Sequence, residues 1–278
     1  MGCMKAIKAV GLLLVFVGIV MAQEPTVNSN GVVNAASGST SNPRGSLVII
    51  FGTNMTSKAG AFLMASSTPL STQLQGGSDT VSVSINGKPA PMFYATNTQT
   101  SVQLPWETNT GTANISVTLN GKTSQPQQLH VTNFSPGIFT VTQNGLGLAL
   151  AFNNSTFKYA QPVGSVKGAV PAKVGDNLFV YLTGLGPVKT PPKDGAAPCP
   201  LVGPCNFNTQ TYKSNTEPVV MVGGIQATVQ YAGLSPQYVG VYQVNFQVPP
   251  GVAPGDAVPL QIQIGGTTST DKVTIAVQ

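Results

Sequence analysis

Arg44-Gly45-Ser46-Leu47-Val48-Ile49-Ile50-Phe51-Gly52 returns 130 residues later as Val174-Gly175-Asp176-Asn177-Leu178-Phe179-Val180-Tyr181-Leu182-Thr183-Gly184. Each copy is a glycine turn, an apolar strand, and a second glycine that ends the strand. Further markers recur in the same order. Residues 83–90, with Asn86-Gly87, answer to residues 220–227, with Gly223-Gly224. Both dipeptides supply the positive φ that tight hairpin turns require. Val102-Gln103-Leu104-Pro105 answers to Phe246-Gln247-Val248-Pro249. In the last pair, Ile115, Val117 and Leu119 match the alternating Val258, Leu260, Ile262 and Ile264. One supersecondary plan is therefore written twice.

Each copy holds about seven short alternating segments separated by turns, the pattern of a two-sheet sandwich. The fold class expected is all-β, with two tandem immunoglobulin-like β-sandwich domains at 23–135 and 136–278. The offset between matching markers grows from 130 to about 145, so the second copy carries insertions. The larger spans about 187–217 and is expected to be an excursion from the sheet edge. The smaller lies around 233–240. Few residues separate the copies at Phe134-Ser135-Pro136-Gly137, so the domains should abut.

Composition agrees with that plan. Of 278 residues, 31 are Gly and 22 are Pro, and only 8% are charged, against roughly a quarter in an ordinary soluble domain. A hydrophobic share of 41% with so little charge is the reverse of a disordered composition. Residues 1–22 read as a signal peptide: Lys5 and Lys8, an uncharged apolar run from Ala9 to Val20, then Val20-Met21-Ala22 before Gln23. That run is too short to cross a bilayer comfortably, which takes about 20 residues. A secreted or cell-surface location follows, with cleavage after Ala22 and no membrane span thereafter. Without the leader the net charge falls from +5 to +3, and the lysines are scattered. Nucleic acid is thereby excluded as a partner.

Cys199 and Cys205 are the two cysteines beyond the leader. In an exported chain so close a pair points to a disulfide. A metal site would lack partners, because the single histidine, His130, lies far away in sequence.

The residues also resemble known families. Residues 43–55, followed by the Asn-Gly hairpin, resemble the IPT/TIG type of immunoglobulin-like domain. Val33-Asn34-Ala35-Ala36-Ser37, Pro136-Gly137-Ile138-Phe139, Thr183-Gly184-Leu185-Gly186 and the stretch from Tyr231 to Pro249 are similar to the Solibacter-type C-terminal module of secreted acidobacterial proteins. That resemblance implies a secreted or surface-attached immunoglobulin-like tandem and no catalytic residue.

Chemistry-bearing side chains are few. His130 sits in an alternating segment, and no G-x-S-x-G elbow accompanies it. Most of the eight carboxylates stand beside Gly, Pro or Asn at turns, where they serve the backbone. No cofactor or metal is expected. Aromatic faces are the better candidates for recognition, with Trp106, Tyr238 and Tyr212 as the expected ligand surface. The chain thus reads as a non-catalytic extracellular module for adhesion, scaffolding or protein interaction. The alternative is a carbohydrate-binding module using exposed aromatics, and a secreted hydrolase ranks last. Its partner is expected to be an extracellular protein or a polysaccharide.

Overall fold

Side chains alternate across a strand, so every second residue can be buried on one face. Asp79–Ile85 buries Asp79, Val81, Val83 and Ile85, and Tyr242–Gln247 buries Tyr242, Val244 and Phe246. The computed structural model describes residues 24–199, 204–270 and 272–278, and no helix occurs among them. The signal-peptide stretch 1–22 lies outside the described residues.

The first sandwich is built from two sheets. One runs Thr26–Asn34, Leu47–Thr53, Gln99–Gln103, Met92–Thr96 and Phe62–Met64 in hydrogen-bonded order. The other runs Ser41–Pro43, Gln127–Thr132, Gly111–Leu119, Asp79–Ile85 and Gln73–Gly76. Val48, Ile50, Met92 and Val102 meet Val81, Val83, Ile115 and Val117 in its core. Burying each such side chain contributes about 1.5–3 kcal/mol before entropy is counted.

The second sandwich follows the same plan but joins its strands into one path. Its order is Gly137–Ile138, Asn177–Thr183, Tyr242–Gln247, Ile225–Leu234, Val219–Val222, Gly255–Ile264, Val273–Val277 and Gly147–Leu148. The long strand Ile225–Leu234 makes the bend. It pairs with Val219–Val222 at one end and, beyond an irregularity between Val229 and Tyr231, with Tyr242–Gln247 at the other. A bridge between Thr140 and Ala149 links the two ends of the path. Leu178, Val180, Val244 and Phe246 pack with Val222, Leu260, Ile262 and Ile275 inside it.

The hairpin turns predicted at Asn86-Gly87 and Gly223-Gly224 are present, with φ of 50° and 79° in the first and 57° and 82° in the second. Asn120-Gly121 and Gly265-Gly266 form a second matching pair. Positive φ at both central residues gives the twist that suits a two-residue hairpin.

The larger insertion departs from the expected excursion. It touches its own sheet through the Lys213–Gly233 bridge, then lies against the first sandwich. Leu70 N–H donates to the Gly195 carbonyl at 2.7 Å, and Gly195 N–H donates to Gln103 Oε1 at 2.6 Å. Polar backbone in a buried loop needs such partners, and the first sandwich supplies them.

Candidate functional site

Two features dominate the polar chemistry of the molecule: the junction between the sandwiches and the outer face of the second.

At the junction, Leu47 N–H donates to Thr183 Oγ1 at 3.0 Å, and the same hydroxyl donates to the Gly240 carbonyl at 2.8 Å. Thr183 therefore ties the repeated strand of one sandwich to that of the other. Asn34 Nδ2 donates to the Ser135 carbonyl at 3.0 Å, while Asn34 Oδ1 accepts from Ala36 and Ser37. Gly240, from the smaller insertion, sits so close to Leu47 that a Cβ there would fall 2.8 Å from its Cδ2. Both insertions of the second copy thus pack on the first. A cleft of about 720 Å³ opens beside the seam, lined by hydroxyls such as Ser37, Ser39, Thr132, Thr268 and Thr270, with Lys272 at its wall.

Trp106 belongs to this junction. It was expected on a ligand surface, but it is only 9% exposed and joins the apolar cluster of the second sandwich. Its ring lies over Gly45, where a Cβ would come within 2.2 Å of the indole. The insertion, some 90 residues downstream, holds its backbone, since Trp106 N–H donates to Asp194 Oδ1 at 2.9 Å. Trp106 therefore presents no face to a ligand.

Asp194 also meets Glu107, and Glu107 pairs with Lys88 at 3.0 Å. Burial, reinforced by the neighbouring Glu107, pushes the Asp194 carboxyl above the ordinary aspartate range. Glu107 is held below its usual range by a backbone amide and by Lys88. Glycoside cleavage needs two carboxyls held about 5 Å or more apart around the scissile bond; here the two touch, so they pin the insertion instead.

The outer face of the second sandwich is aromatic. In Asn177–Thr183 the residues Leu178, Val180 and Leu182 point into the core, which turns Asn177, Phe179 and Tyr181 to the other side. Phe179 stacks on Phe152 at 5.1 Å between ring centroids and meets Tyr181 edge to face at 5.5 Å. Phe152 also contacts Tyr159 at 4.5 Å. Phe157 joins Phe179 at 6.1 Å, and Tyr238 joins Tyr181 at 5.7 Å. Such offset and edge-to-face contacts suit the ring quadrupole. The neighbouring strand adds amides: Asn245 lies opposite Phe179, Gln243 opposite Tyr181 and Gln247 opposite Asn177. Gln243 Nε2 donates to Asn245 Oδ1 at 2.8 Å.

Tyr238, expected on a ligand surface, lies at one end of this band and is 48% exposed. Tyr212 is half-buried in the insertion and stacks on Phe207 at 5.6 Å, and Phe207 in turn touches Tyr231. The structure gathers neither residue with Trp106. Phe152, Phe157, Phe179 and Tyr181 were absent from the expected surface. The signal for two of them was present, since Phe179 and Tyr181 hold the outward parity of a strand whose inward parity is Leu, Val, Leu. Cys199 and Cys205 are joined in a disulfide with Cα atoms 5.1 Å apart. His130 is exposed on Gln127–Thr132. Among the described residues no three His, Cys, Asp or Glu side chains cluster as metal ligands would, and no helix is long and apolar enough to cross a membrane.

Three solved structures that match this chain are distant from it in sequence. The plexin A4 extracellular region is 12% identical, with 98% of this chain and 20% of that one covered and a TM-score of 0.26. The I9–I11 tandem from titin is 10% identical, with coverage of 91% and 66% and a TM-score of 0.23. The surface glycan-binding protein PbSGBP-B from Prevotella bryantii is 12% identical, with coverage of 88% and 41% and a TM-score of 0.26. The chain therefore spans less than two thirds of the length of each. No curated protein matches it. Residues 32–131, most of the first sandwich, match the family model of the IPT/TIG domain, so that stretch is similar in sequence to that family.

Proposed function

We propose that the chain is a non-catalytic module, exported or held at the cell surface, that serves adhesion, scaffolding or extracellular protein interaction. Its units are taken to be 23–135 and 136–278, meeting at Ser135-Pro136. The observation that carries this reading is the junction. Thr183, Asn34, Trp106 and both insertions fasten two sandwiches together and leave their outer faces for contact. Export is supported by the leader-like residues 1–22 and by the Cys199–Cys205 disulfide. The stretch from Tyr231 to Pro249, similar to the Solibacter-type module, agrees with such a setting.

Small-angle scattering of the protein from Gln23 onward tests the rigid arrangement. The profile should match one body with the sandwiches fixed in this orientation, and a profile that needs a mixture of orientations would contradict it. A hydrolase substrate panel tests the absence of catalysis. Turnover that disappears in His130→Ala, or in Glu107→Gln with Asp194→Asn, would overturn the reading.

A further inference from the structure

We infer that the outer aromatic face of the second sandwich is a binding site for a neutral, extended polysaccharide. The inference rests on the reading of the chain as a non-catalytic binding module and names the partner of one of its faces.

Three properties of the face lead to that ligand. The first is its lack of charge. Read across the paired strands, its outward positions are Asn177, Gln247 and Thr228 in one row, and Phe152, Phe179, Asn245 and Tyr231 in the next. Tyr181, Gln243 and Gly233 form a third, which the insertion continues with Lys213. An anionic or cationic ligand would want a free charged partner in these rows, and Lys213, at their edge, is already paired with Glu217. The second is the pairing of rings with amides. A pyranose has an apolar C–H face, which suits the negative face of an aromatic ring. It also has a rim of hydroxyls, each a donor and an acceptor, and Asn and Gln side chains likewise both donate and accept. Gln243 and Asn245 orient each other through their mutual hydrogen bond, so less rotamer freedom is lost when a sugar arrives.

The third property is length. The rings run from Phe157 through Phe179 and Tyr181 to Tyr238 in three steps of 6.1, 5.5 and 5.7 Å between centroids. The two ends are the open ones, Phe157 at 71% and Tyr238 at 48% exposed. Phe179 is buried and acts as the support that holds Phe152, Tyr181 and Phe157 in place. A single sugar reaches one open ring, whereas a chain of several reaches both. The face therefore selects oligomers over monomers.

Affinity electrophoresis of the protein from Gln23 onward, in gels containing hydroxyethyl cellulose, xyloglucan or a soluble β-1,3-glucan, tests this. Polygalacturonate serves as the acidic comparator. Retardation is expected in at least one neutral glycan and should persist in moderate salt, because no ion pair is involved. Phe157→Ala and Tyr238→Ala should each weaken it by roughly fivefold to tenfold. Both side chains are exposed, so their thermal midpoints should not move. Phe62→Ala, at an exposed ring of the first sandwich, should leave binding unchanged. In a titration with soluble oligosaccharides, the side-chain amide resonances of Gln243 and Asn245 should shift, and affinity should rise with oligomer length. No retardation in any neutral glycan would overturn the inference, as would binding only to polygalacturonate or binding unaltered in the Phe157→Ala, Tyr238→Ala double variant. Any of these results in a rigid, non-hydrolytic protein leaves the module reading standing, whereas turnover of the glycan would overturn that reading instead.

Discussion

The two sandwiches begin from the same strand and end with different outer faces. Leu47–Thr53 and Asn177–Thr183 both turn alternate apolar residues inward, and both pair with a strand of amide and hydroxyl residues. Ile49 lies opposite Ser101 where Phe179 lies opposite Asn245, and Phe51 lies opposite Gln99 where Tyr181 lies opposite Gln243. Even the third strand corresponds, since Tyr94 faces Ser101 as Tyr231 faces Asn245. With Ile49 at its centre, the first face holds a single ring contact among the described residues, Phe62 on Tyr94 at 5.9 Å. The second face links six rings. Inward parity is the property the copies share, and it specifies the sandwich. Outward parity is free of that duty, and there the copies have diverged.

The same divergence marks the ends of the strands. Thr53 is exposed and bonds to the Thr26 hydroxyl at 2.8 Å. Its counterpart Thr183 is buried and joins the sandwiches. Gly175 has open space where a Cβ would stand, while its counterpart Gly45 is covered by Trp106. The junction is therefore asymmetric. The second copy contributes the insertions and the first contributes a ring that joins the second copy's apolar cluster.

Removing that ring should be the largest single perturbation. Trp106→Ala is expected to cost about 3–5 kcal/mol, and to separate one unfolding transition into two in calorimetry. A loss below 1 kcal/mol, on the order of a surface substitution, would break the idea that Trp106 fastens the copies. Thr183→Val comes next, since it orphans the buried Leu47 N–H and Gly240 carbonyl at roughly 1–3 kcal/mol each. Thr53→Val should stay within about 0.5 kcal/mol. Chemical denaturation of the two variants side by side measures the contrast, and equal effects would contradict it.

Exchanging turn residues sharpens the comparison further. Gly265→Asn copies the first sandwich's Asn120 into the second. Its φ of 54° suits Asn, but the new Cβ would fall 2.2 Å from Phe134 Cδ2. The displaced ring should cost about 1–3 kcal/mol. The reverse change, Asn120→Gly, removes the Oδ1 acceptor of Thr80 N–H at 2.8 Å and the Nδ2 donor to Asp79 Oδ1 at 3.3 Å, for about 0.5–1.5 kcal/mol each. Thermal melts of both variants measure the two costs.

The smallest expected effects are those of pH, and the buried Asp79 and half-buried Asp194 differ in sign. At Asp79 burial alone would raise the pKa. Hydrogen bonds from Ser57 and Asn120, with Lys58 nearby, outweigh it and lower the value. Its stabilisation is present above the ordinary aspartate range and is lost as pH falls through the lowered value. Asp194 is raised, so its contribution is present at low pH and is lost as pH rises through the raised value. Asp194→Asn keeps an acceptor for Trp106 N–H and removes the repulsion with Glu107. It should raise stability at neutral pH and flatten the profile in mild acid. Destabilisation at neutral pH would show that the ionised carboxylate is favourable there.

Much of the frame was legible in the sequence because it rests on local rules. Period-two alternation identified the buried residues of Leu47–Thr53 and Asn177–Thr183, and Asn-Gly and Gly-Gly identified the hairpins. The burial of Trp106 depends on the apolar cluster of the second sandwich, whose docking no local pattern announces. The aromatic face was half visible. Phe179 and Tyr181 could be read from their parity, whereas Phe157 reaches the band from a turn after Ala151–Asn153, at φ 54°, and only the folded chain brings it there.

Above all, the two sandwiches are fastened into one unit at Trp106 and Thr183. Trp106 is the only tryptophan, so its fluorescence reports the junction while far-UV circular dichroism reports the strands. In thermal unfolding of the protein from Gln23 onward, the two signals should trace one coincident transition in the wild type and separate in Thr183→Val. A wild type whose fluorescence changes well before the strands melt would contradict the fastening.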